Sequence, residues 1–183
     1  MTTVSLKENK SPFSTKNKVA RVLWWFANVF FSLTPYWALN SLRIATLRIF
    51  GAKIGVGCVV YPSAKIWAPW NLSVGNYSCI GPYTDIYSMG PIKIGSNVTI
   101  SQHAVICTGT HDIATPHNDL IIKSVEIMDQ AWICAYAKIM PGVTVSEGAV
   151  VGMAALLTKN AQPWGVYGGN PAKLLKEREV QSD

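Results

Sequence analysis

Cysteine, histidine and charged residues are all scarce in this chain of 183 residues. None of its four cysteines belongs to a CxxC pair, so we expect small packing residues in a reducing compartment rather than a disulfide framework. Only 14% of the residues are charged and 49% are hydrophobic, which supplies ample material for a buried core. This length and composition favour one domain with a smaller appendage and argue against disorder outside the ends.

Acidic residues are nearly missing from the first part of the chain. Residues 1–53 hold eight Lys or Arg and a single acid, Glu8, for a net charge of +7. The remainder nets −1, from eight basic and nine acidic residues, so the whole excess of +6 lies in the N-terminal segment. Within that segment, residues 22–42 (VLWWFANVFFSLTPYWALNSL) carry no charge at all.

The uncharged run approaches the ~20 residues of a membrane-spanning helix, but polar side chains interrupt it and Pro35 should break it. We therefore expect a basic, aromatic segment over 17–53 that contains two helices, roughly 17–33 and 36–50. These helices could cap the open first coil of a repeat domain, lie in the interface of an anionic membrane, or span it. The sequence favours the cap and leaves the interfacial and spanning arrangements open.

The terminus before this segment, residues 1–16, is expected to be disordered or extended. We expect no cleavable signal, because the apolar run begins late and no convincing small-residue cleavage site follows it. A cytoplasmic location follows, with peripheral contact between residues 17–50 and the inner face of the plasma membrane as an open alternative. No nucleic-acid partner is expected.

Isoleucine and valine recur every six residues for about a hundred residues, beginning at Ile54. A helix returns apolar residues every three or four positions and a half-buried strand every two, so a period of six indicates a repeat architecture. From Ile54 to Val74 to Ile94 the register advances by twenty residues, which is three hexads plus two. We therefore predict a mainly β chain that forms a parallel β-helix, a three-sided prism, over residues 54–168.

The six-residue period has one large break, between Ile106 and Ile127. The sequence CTGTHDIATPHNDLIIKSVE replaces a regular coil there and predicts a loop over 112–126 that projects from one edge of the prism. Loops on rigid scaffolds often carry function. His111 lies at the root of this loop.

Several segments together resemble the hexapeptide-repeat acyltransferases, closest to the colanic acid biosynthesis acetyltransferase branch: IGSNVTISQHAVICTG, TGTHD, PGVTV and GGNPAKLLK. The resemblance spans roughly residues 20–178. It implies a left-handed β-helix, although the general rule for parallel crossovers would give the opposite hand. It also implies acetyl-coenzyme A-dependent O-acetylation of a sugar hydroxyl in exopolysaccharide or surface-glycan biosynthesis, with N-acylation of an amino sugar as the alternative.

The resemblance assigns the general base to His111, since a neutral imidazole can remove a hydroxyl proton near pH 7. A turn histidine held by backbone hydrogen bonds is the plainer alternative. Asp112 could orient the imidazole or cap the turn. Asp85 lies one twenty-residue coil before Val105 and could orient His111, bind a sugar hydroxyl or be a solvated turn residue.

Substrate contacts are expected from Gln102, His103 and Trp132. His103 occupies the position where relatives have an acceptor-binding Asn, eight residues before the catalytic histidine, so the acceptor's identity is open. Trp132 resembles a tryptophan that packs beside the reacting centre and the pantetheine arm. Solvent-facing turn residues and simple rim packing are the alternatives for these positions.

The resemblance places the pantetheine of acetyl-coenzyme A against the small residues Ala135 and Ala154. Its phosphates would meet Lys159, Lys173 and Lys176, because flexible ammonium groups suit a polyanion. Residues 169–183 are expected to form a turn, a short C-terminal helix over AKLLKEREV, and a tail. A homotrimer with active sites between prisms is also implied, with a sugar or glycan acceptor that could be lipid-linked.

Two further classes of function are weighed against acyl transfer. A zinc hydratase of the gamma carbonic anhydrase type needs three converging histidines, and the chain has only His103, His111 and His117. The last two lie six residues apart in one loop, whereas those enzymes draw ligands from separate coils and use a pair five apart, so no metal is expected. A non-catalytic scaffold or sugar-binding solenoid is the third class.

Overall fold

The computed structural model describes residues 4–5 and 11–181. Half of the expected N-terminal extension, residues 1–3 and 6–10, therefore lies outside the described residues. Two helices come first in the chain: α1 (Thr15–Leu33) and α2 (Asn40–Ile49). Short parallel strands then wind around the three sides of a prism, as the six-residue period predicts.

Each side of the prism is a sheet whose strands come from successive coils. Sheet A contains β1 (Lys53–Ile54), β4 (Leu72–Val74), β7 (Ile92–Ile94), β12 (Val125–Ile127) and β15 (Thr144–Val145). Sheet B contains β2 (Val59–Val60), β5 (Cys79–Ile80), β8 (Thr99–Ile100), β13 (Trp132–Ile133), β16 (Val150–Val151), β18 (Gly165–Gly168) and β19 (Lys173–Glu177). Sheet C contains β3 (Lys65–Ile66), β6 (Asp85–Tyr87), β9 (Val105–Cys107), β14 (Lys138–Ile139) and β17 (Leu156–Leu157). A separate antiparallel hairpin joins β10 (Gly109–His111) to β11 (Leu120–Ile122).

The register of the strands confirms the repeat. Ile54 pairs with Val74, and Val74 pairs with Ile94, so neighbouring coils are offset by the predicted twenty residues. The hexad side chains point inward and are almost completely buried; examples are Ile80, Ile86, Ile100, Ile106, Ile127 and Ile133. A continuous aliphatic stack therefore runs along the axis of the prism.

The corners of the prism turn through residues in the left-handed backbone region. At the corner between sheets B and C, Tyr83, His103, Tyr136 and Ala154 all have φ between 56° and 60°. At the corner between sheets A and B, Gly148 has φ 66°, and a Cβ added there would lie 2.5 Å from the Trp164 ring. The small residues beside these corners, such as Ala104 and Ala137, are buried, which lets the chain turn tightly.

The predicted N-terminal helices are confirmed, with the second starting later than expected. Ser14 caps α1 by accepting a hydrogen bond from the Asn17 backbone N–H, and α1 ends at Leu33, two residues before Pro35. Trp24 is buried on the inner face of α1, and its indole N–H donates to the Ile66 carbonyl over 2.7 Å. Helix α2 packs against β1 and β2, so the helical pair covers the first coil.

Arg43 ties the helical pair to the prism. Its side chain is 1% exposed, and its Nε donates to the Val60 carbonyl on β2 over 2.8 Å. Its two terminal nitrogens donate to the carbonyls of Pro35, Tyr36 and Ala38 in the turn between the helices. Five N–H donors in a planar fork suit this set of carbonyls, which no lysine would satisfy together. Burial lowers the pKa of Arg43.

The predicted C-terminal helix over AKLLKEREV is wrong. Lys173–Glu177 instead form β19, which pairs antiparallel with β18 at the open edge of sheet B. An exposed strand edge presents unpaired N–H and C=O groups, and their pairing outweighs the weak helical pattern of this short segment. A register shift between Val166 and Tyr167 makes a bulge in this pairing.

The insertion after Ile106 also differs from the expected loop over 112–126. It forms the β10–β11 hairpin, which begins at Gly109 and leaves the prism at the corner between sheets C and A. No helix within residues 4–5 and 11–181 is both long enough and apolar enough to cross a membrane.

Truncation of a hexad side chain should cost much more than truncation of an outward one. Ile133 is 0% exposed in the middle of sheet B, so Ile133→Ala should lower the free energy of unfolding by about 2–5 kcal/mol. Val59 lies on the outer face of the same sheet and is 40% exposed, so Val59→Ala should cost under about 1 kcal/mol. Denaturant unfolding of both variants measures the difference, and equal losses would contradict the assigned core.

Candidate active site

A cleft of about 330 Å³ lies at the root of the β10–β11 hairpin. The N-terminal segment before α1 forms one wall, and the hairpin and the end of β6 in sheet C form the others. The lining residues are Ser11, Pro12, Phe13, Tyr87, Met89, Gly109, His111 and Leu120. His111 is the titratable side chain best placed for proton transfer in this wall.

The hairpin orients the His111 imidazole through its own backbone. Nδ1 of His111 lies 2.6 Å from the carbonyl oxygen of Asn118, in the connection just before β11. A carbonyl oxygen can only accept, so Nδ1 carries the proton in this contact. Nε2 of the neutral ring then has a free lone pair and is ready to accept a proton. The side chain is exposed, so a substrate can reach it.

Asp112 caps the turn that follows His111. Its Oδ1 accepts a hydrogen bond from the Ala114 backbone N–H over 2.9 Å, and its own N–H donates to the Asp119 carbonyl over 2.8 Å. These bonds fit the turn-capping role for Asp112. The contact that orients the imidazole comes from the Asn118 carbonyl instead.

Asp85 lies on the outer face of sheet C, between Lys65 and Val105 in register. Tyr87 follows it two positions along the same strand, on the same face, and lines the cleft. Burial raises the pKa of Asp85, and the charge of Lys65 partly opposes the rise. Asp85 is therefore near the cleft wall but is not one of the residues that line it.

Gln102 and His103 lie at a different corner, between sheets B and C. The His103 ring stacks between Tyr83 and Tyr136, with ring centroids 5.1 and 4.7 Å apart and nearly parallel planes. Gln102 is exposed beside it, and its carbonyl accepts from the Tyr136 N–H. His111 projects from the corner between sheets C and A, so one chain does not bring His103 into the His111 cleft.

All the predicted donor-contact residues except Lys159 lie on the outer face of sheet B or at the corner beside it. Trp132, Val150, Val166 and Lys176 form one row across four neighbouring strands. At about 4.8 Å per strand, Trp132 lies roughly 14 Å from Lys176. The bulge in β19 brings Lys173, opposite Gly168, onto the same face. The Trp132 indole donates to the Ser101 hydroxyl over 3.0 Å.

The remaining predicted residues lie at the last coils. Ala154 donates its backbone N–H to the Ala135 carbonyl, so these two residues occupy successive coils of the corner between sheets B and C. Ala135 is buried and Ala154 exposed. Lys159 is exposed after β17, at the opposite end of that strand, and does not join the Lys173–Lys176 row.

Of the residues that line the cleft, only His111 was predicted from the sequence; Tyr87, Met89 and Phe13 are among those missed. Tyr87 could have been found from the coil register, because it pairs with Cys107 two residues before the hairpin. Met89 could have been found in the same way, because it lies two residues after Tyr87 as Gly109 lies two residues after Cys107. Phe13 lies before the repeats, and no periodicity connects it to His111.

The three histidines do not converge. His103 belongs to the aromatic stack, whereas His111 and His117 belong to the hairpin, where His117 Nδ1 contacts the Ser5 carbonyl over 2.9 Å. Within residues 4–5 and 11–181, no three His, Cys, Asp or Glu side chains come together in a way that could hold a metal ion.

Comparison with known proteins identifies the family. No protein-family model matches the chain. However, it is 36% identical over 167 residues to the provisionally named colanic acid biosynthesis acetyltransferase WcaF of Escherichia coli strain K12, covering 91% of both chains. This chain belongs to the hexapeptide-repeat acetyltransferases.

Solved structures agree with the fold of this acetyltransferase. The acetyltransferase VCA0836 of Vibrio cholerae O1 biovar eltor, in complex with acetyl coenzyme A, superposes with a TM-score of 0.84, 21% identity and 94% coverage of both chains. A maltose O-acetyltransferase of Clostridium difficile 630 superposes with a TM-score of 0.79 and 23% identity, over 91% of this chain and 90% of its own. The predicted left-handed β-helix is confirmed.

Asp85 gives the acetyltransferase a pH-dependent contribution to stability. Because its pKa is raised by folding, the folded chain binds this proton more tightly than the unfolded chain. Ionisation of Asp85 therefore lowers the free energy of unfolding at pH values above its raised pKa. This loss disappears as the pH falls below the range in which an ordinary aspartate titrates.

Asp85→Asn should accordingly raise the melting temperature at pH 7. Because Asp85 is half-buried, the rise should stay below the ~2–4 °C that 1 kcal/mol produces in a chain of this size. Thermal unfolding across pH 3–7 measures it. The difference between Asp85→Asn and the parent protein should shrink toward acid pH, and a difference that grows there would contradict the assigned shift.

Proposed function

We propose that this acetyltransferase transfers the acetyl group of acetyl coenzyme A to a sugar hydroxyl in surface-glycan biosynthesis, with His111 as general base. The observation that carries the proposal is the bond between His111 Nδ1 and the Asn118 carbonyl, which leaves Nε2 available. The name of the Escherichia coli relative supports the pathway, and the complex of VCA0836 supports the donor. The maltose enzyme supports transfer to oxygen.

The proposed reaction needs no acyl-enzyme, since the thioester is already activated. Nε2 of His111 takes the proton of the acceptor hydroxyl as its oxygen attacks the thioester carbonyl carbon. The Asn118 carbonyl stabilises the resulting imidazolium through Nδ1–H. When the tetrahedral intermediate collapses, the carbon–sulfur bond breaks and the imidazolium returns its proton to the leaving thiolate. A backbone N–H on a neighbouring coil is our candidate donor to the oxyanion.

The donor would lie along the outer face of sheet B. Trp132 offers an aromatic surface near the reacting end, and Lys173 and Lys176 offer cations for the phosphates at the edge of the sheet. Ala135 and Ala154 leave room for the pantetheine to approach the backbone at the corner. Lys159 lies on the far side of β17, so it could reach the phosphates of coenzyme A only from there.

A homotrimer would bring the two halves of this site together. In one chain the His111 cleft lies at the corner between sheets C and A, whereas the Trp132–Lys176 row lies on the outer face of sheet B. A neighbouring chain would place donor and base together. The hairpin that carries His111 also presents Ile113, which is 92% exposed, and a partner chain would cover this side chain.

His111→Ala should lower thiol release from acetyl coenzyme A by about 10²–10⁴-fold, because it removes the base and leaves the donor face intact. The assay uses glycan, nucleotide-sugar and free-sugar acceptors, with coenzyme A binding followed by calorimetry. His117→Ala, in the same hairpin, serves as the matched control and should stay within a few-fold of the parent. Full activity in His111→Ala would contradict the assignment of the base.

The products of this assay distinguish O-acetylation from N-acetylation, and the assay itself tests for a non-catalytic role. An O-acetyl product releases its acetyl group to hydroxylamine, whereas an N-acetyl product keeps it. No thiol release with any acceptor, combined with no binding of coenzyme A, would leave the non-catalytic scaffold as the function.

Mixed trimers test whether the site is shared between chains. His111→Ala chains are refolded together with Trp132→Ala/Lys176→Ala chains, each variant being weakly active alone. In a random one-to-one mixture of cyclic trimers, about a quarter of the sites would combine an intact base with an intact donor face. Thiol release should rise accordingly. Activity no greater than the mean of the two separate variants would place the whole site within one chain.

A further inference from the structure

Helix α1 is apolar on both of its faces. Its inner stripe contains Trp24 and Phe31, which are buried against the first coil. Its outer face from residue 19 to residue 33 carries a single polar side chain, Ser32, whose hydroxyl donates to the Asn28 carbonyl. All the other outward side chains of this stretch are exposed hydrophobics: Val19, Val22, Leu23, Trp25, Phe26, Val29, Phe30 and Leu33. A surface helix with a packed inner face normally shows a polar outer one.

The turn after α1 extends this apolar face. Tyr36, Trp37 and Leu39 are exposed there, Trp37 by 76% and Phe30 nearby on α1 by 75%. The backbone of the turn is held by Arg43, which is itself buried and bonded to β2. These aromatic side chains therefore project from a fixed turn and not from a loose connection. We call residues 19–39 on this side the aromatic face.

Positive charge lies at one end of the aromatic face, at the start of α1. Lys16 and Lys18 are exposed at the start of α1, and no Asp or Glu occurs anywhere between residues 9 and 84. A groove of about 510 Å³ runs between α1 and the end of β3, lined by Lys18, Arg21, Trp25 and Trp67 among others. The Arg21 guanidinium lies 4.2 Å above the Trp67 ring.

We propose that the aromatic face docks on the surface of an anionic phospholipid bilayer. Such a surface supplies an apolar layer for the Trp and Phe rings and phosphates for Lys16, Lys18 and Arg21. A second copy of this chain docked through the same face complements it less well, because it would bring the same cations together without any acid. The helix lies along the interface, with the groove open to headgroups at its basic end.

Docking in this orientation would hold the His111 cleft beside the headgroups. Trp67 lines the groove, and its ring lies 5.1 Å from Phe13 and 6.1 Å from Tyr87, both of which line the cleft. An acceptor glycan on a lipid anchor could then reach His111 without leaving the membrane. This last step rests on the proposed function, whereas the docking itself does not.

Co-sedimentation of the full chain with vesicles tests the proposal. The protein should bind vesicles of phosphatidylcholine with phosphatidylglycerol, bind phosphatidylcholine alone far more weakly, and lose affinity as salt rises. Phe30→Ser/Trp37→Ser should weaken binding at least tenfold. Leu175→Ser/Val180→Ser is the matched control and should not, since it removes two exposed apolar side chains from the opposite end of the solenoid.

A second pair of variants tests the charge. Lys16→Gln/Lys18→Gln should weaken binding to the anionic vesicles by roughly tenfold or more, because each cation near such a surface contributes a few-fold. Lys123→Gln/Lys138→Gln removes the same charge from the prism and should leave binding unchanged. All four variants alter exposed side chains, so their melting temperatures should match that of the parent protein.

Four results would overturn the proposal. Three are no binding by the folded protein to anionic vesicles, equal binding to neutral and anionic vesicles, and equal losses in test and control variants. A fourth is a change in the mass of the protein in solution with Phe30→Ser/Trp37→Ser while vesicle binding persists. That result would assign the face to contacts between copies of the chain. Thiol release with a soluble acceptor is measured in parallel, so loss of docking and loss of catalysis are distinguished.

Discussion

The inward stacking of aliphatic side chains, coil upon coil, is the constraint on which the rest of this structure depends. A coil of three two- or three-residue strands has too little surface to be stable alone, so each coil relies on the coils above and below it. Every residue on a sheet face is then in register with a counterpart one coil away, as Ile54, Val74 and Ile94 are. Such a stack tolerates additions only where they leave the inward layer intact, at the corners and at the two ends.

The functional features of the molecule occupy those permitted places. The hairpin that carries His111 leaves the prism at a corner, and the strands before and after it still pair across the coils. The helical pair covers one open end and β19 extends a sheet at the other. Because the scaffold is rigid, a backbone carbonyl on the hairpin can orient the imidazole, and a row of side chains across sheet B can present a long ligand surface.

Much of this arrangement could be predicted from local pattern. The six-residue period identified the coils, and the twenty-residue register identified the three sides, because burial imposes the same choice at every repeated position. The break in that period located His111. The pattern was least informative at Lys173–Glu177, where AKLLKEREV suits a short helix but an open strand edge lies beside it. Asp112 was equally ambiguous, since an aspartate beside a histidine can orient the ring or cap the turn.

The sequence by itself determined which residues face the axis, where the prism is interrupted and where the positive charge lies, since these are properties of spacing and composition. Only the tertiary structure decided which nitrogen of His111 is free, because that depends on the Asn118 carbonyl across the hairpin. It also decided that Trp132 and Lys176 share a row, because their alignment comes from pairing across four strands and a bulge. The same holds for α1: apolar residues lie on both its buried and its exposed faces, and only packing on the first coil determined which of them stay exposed.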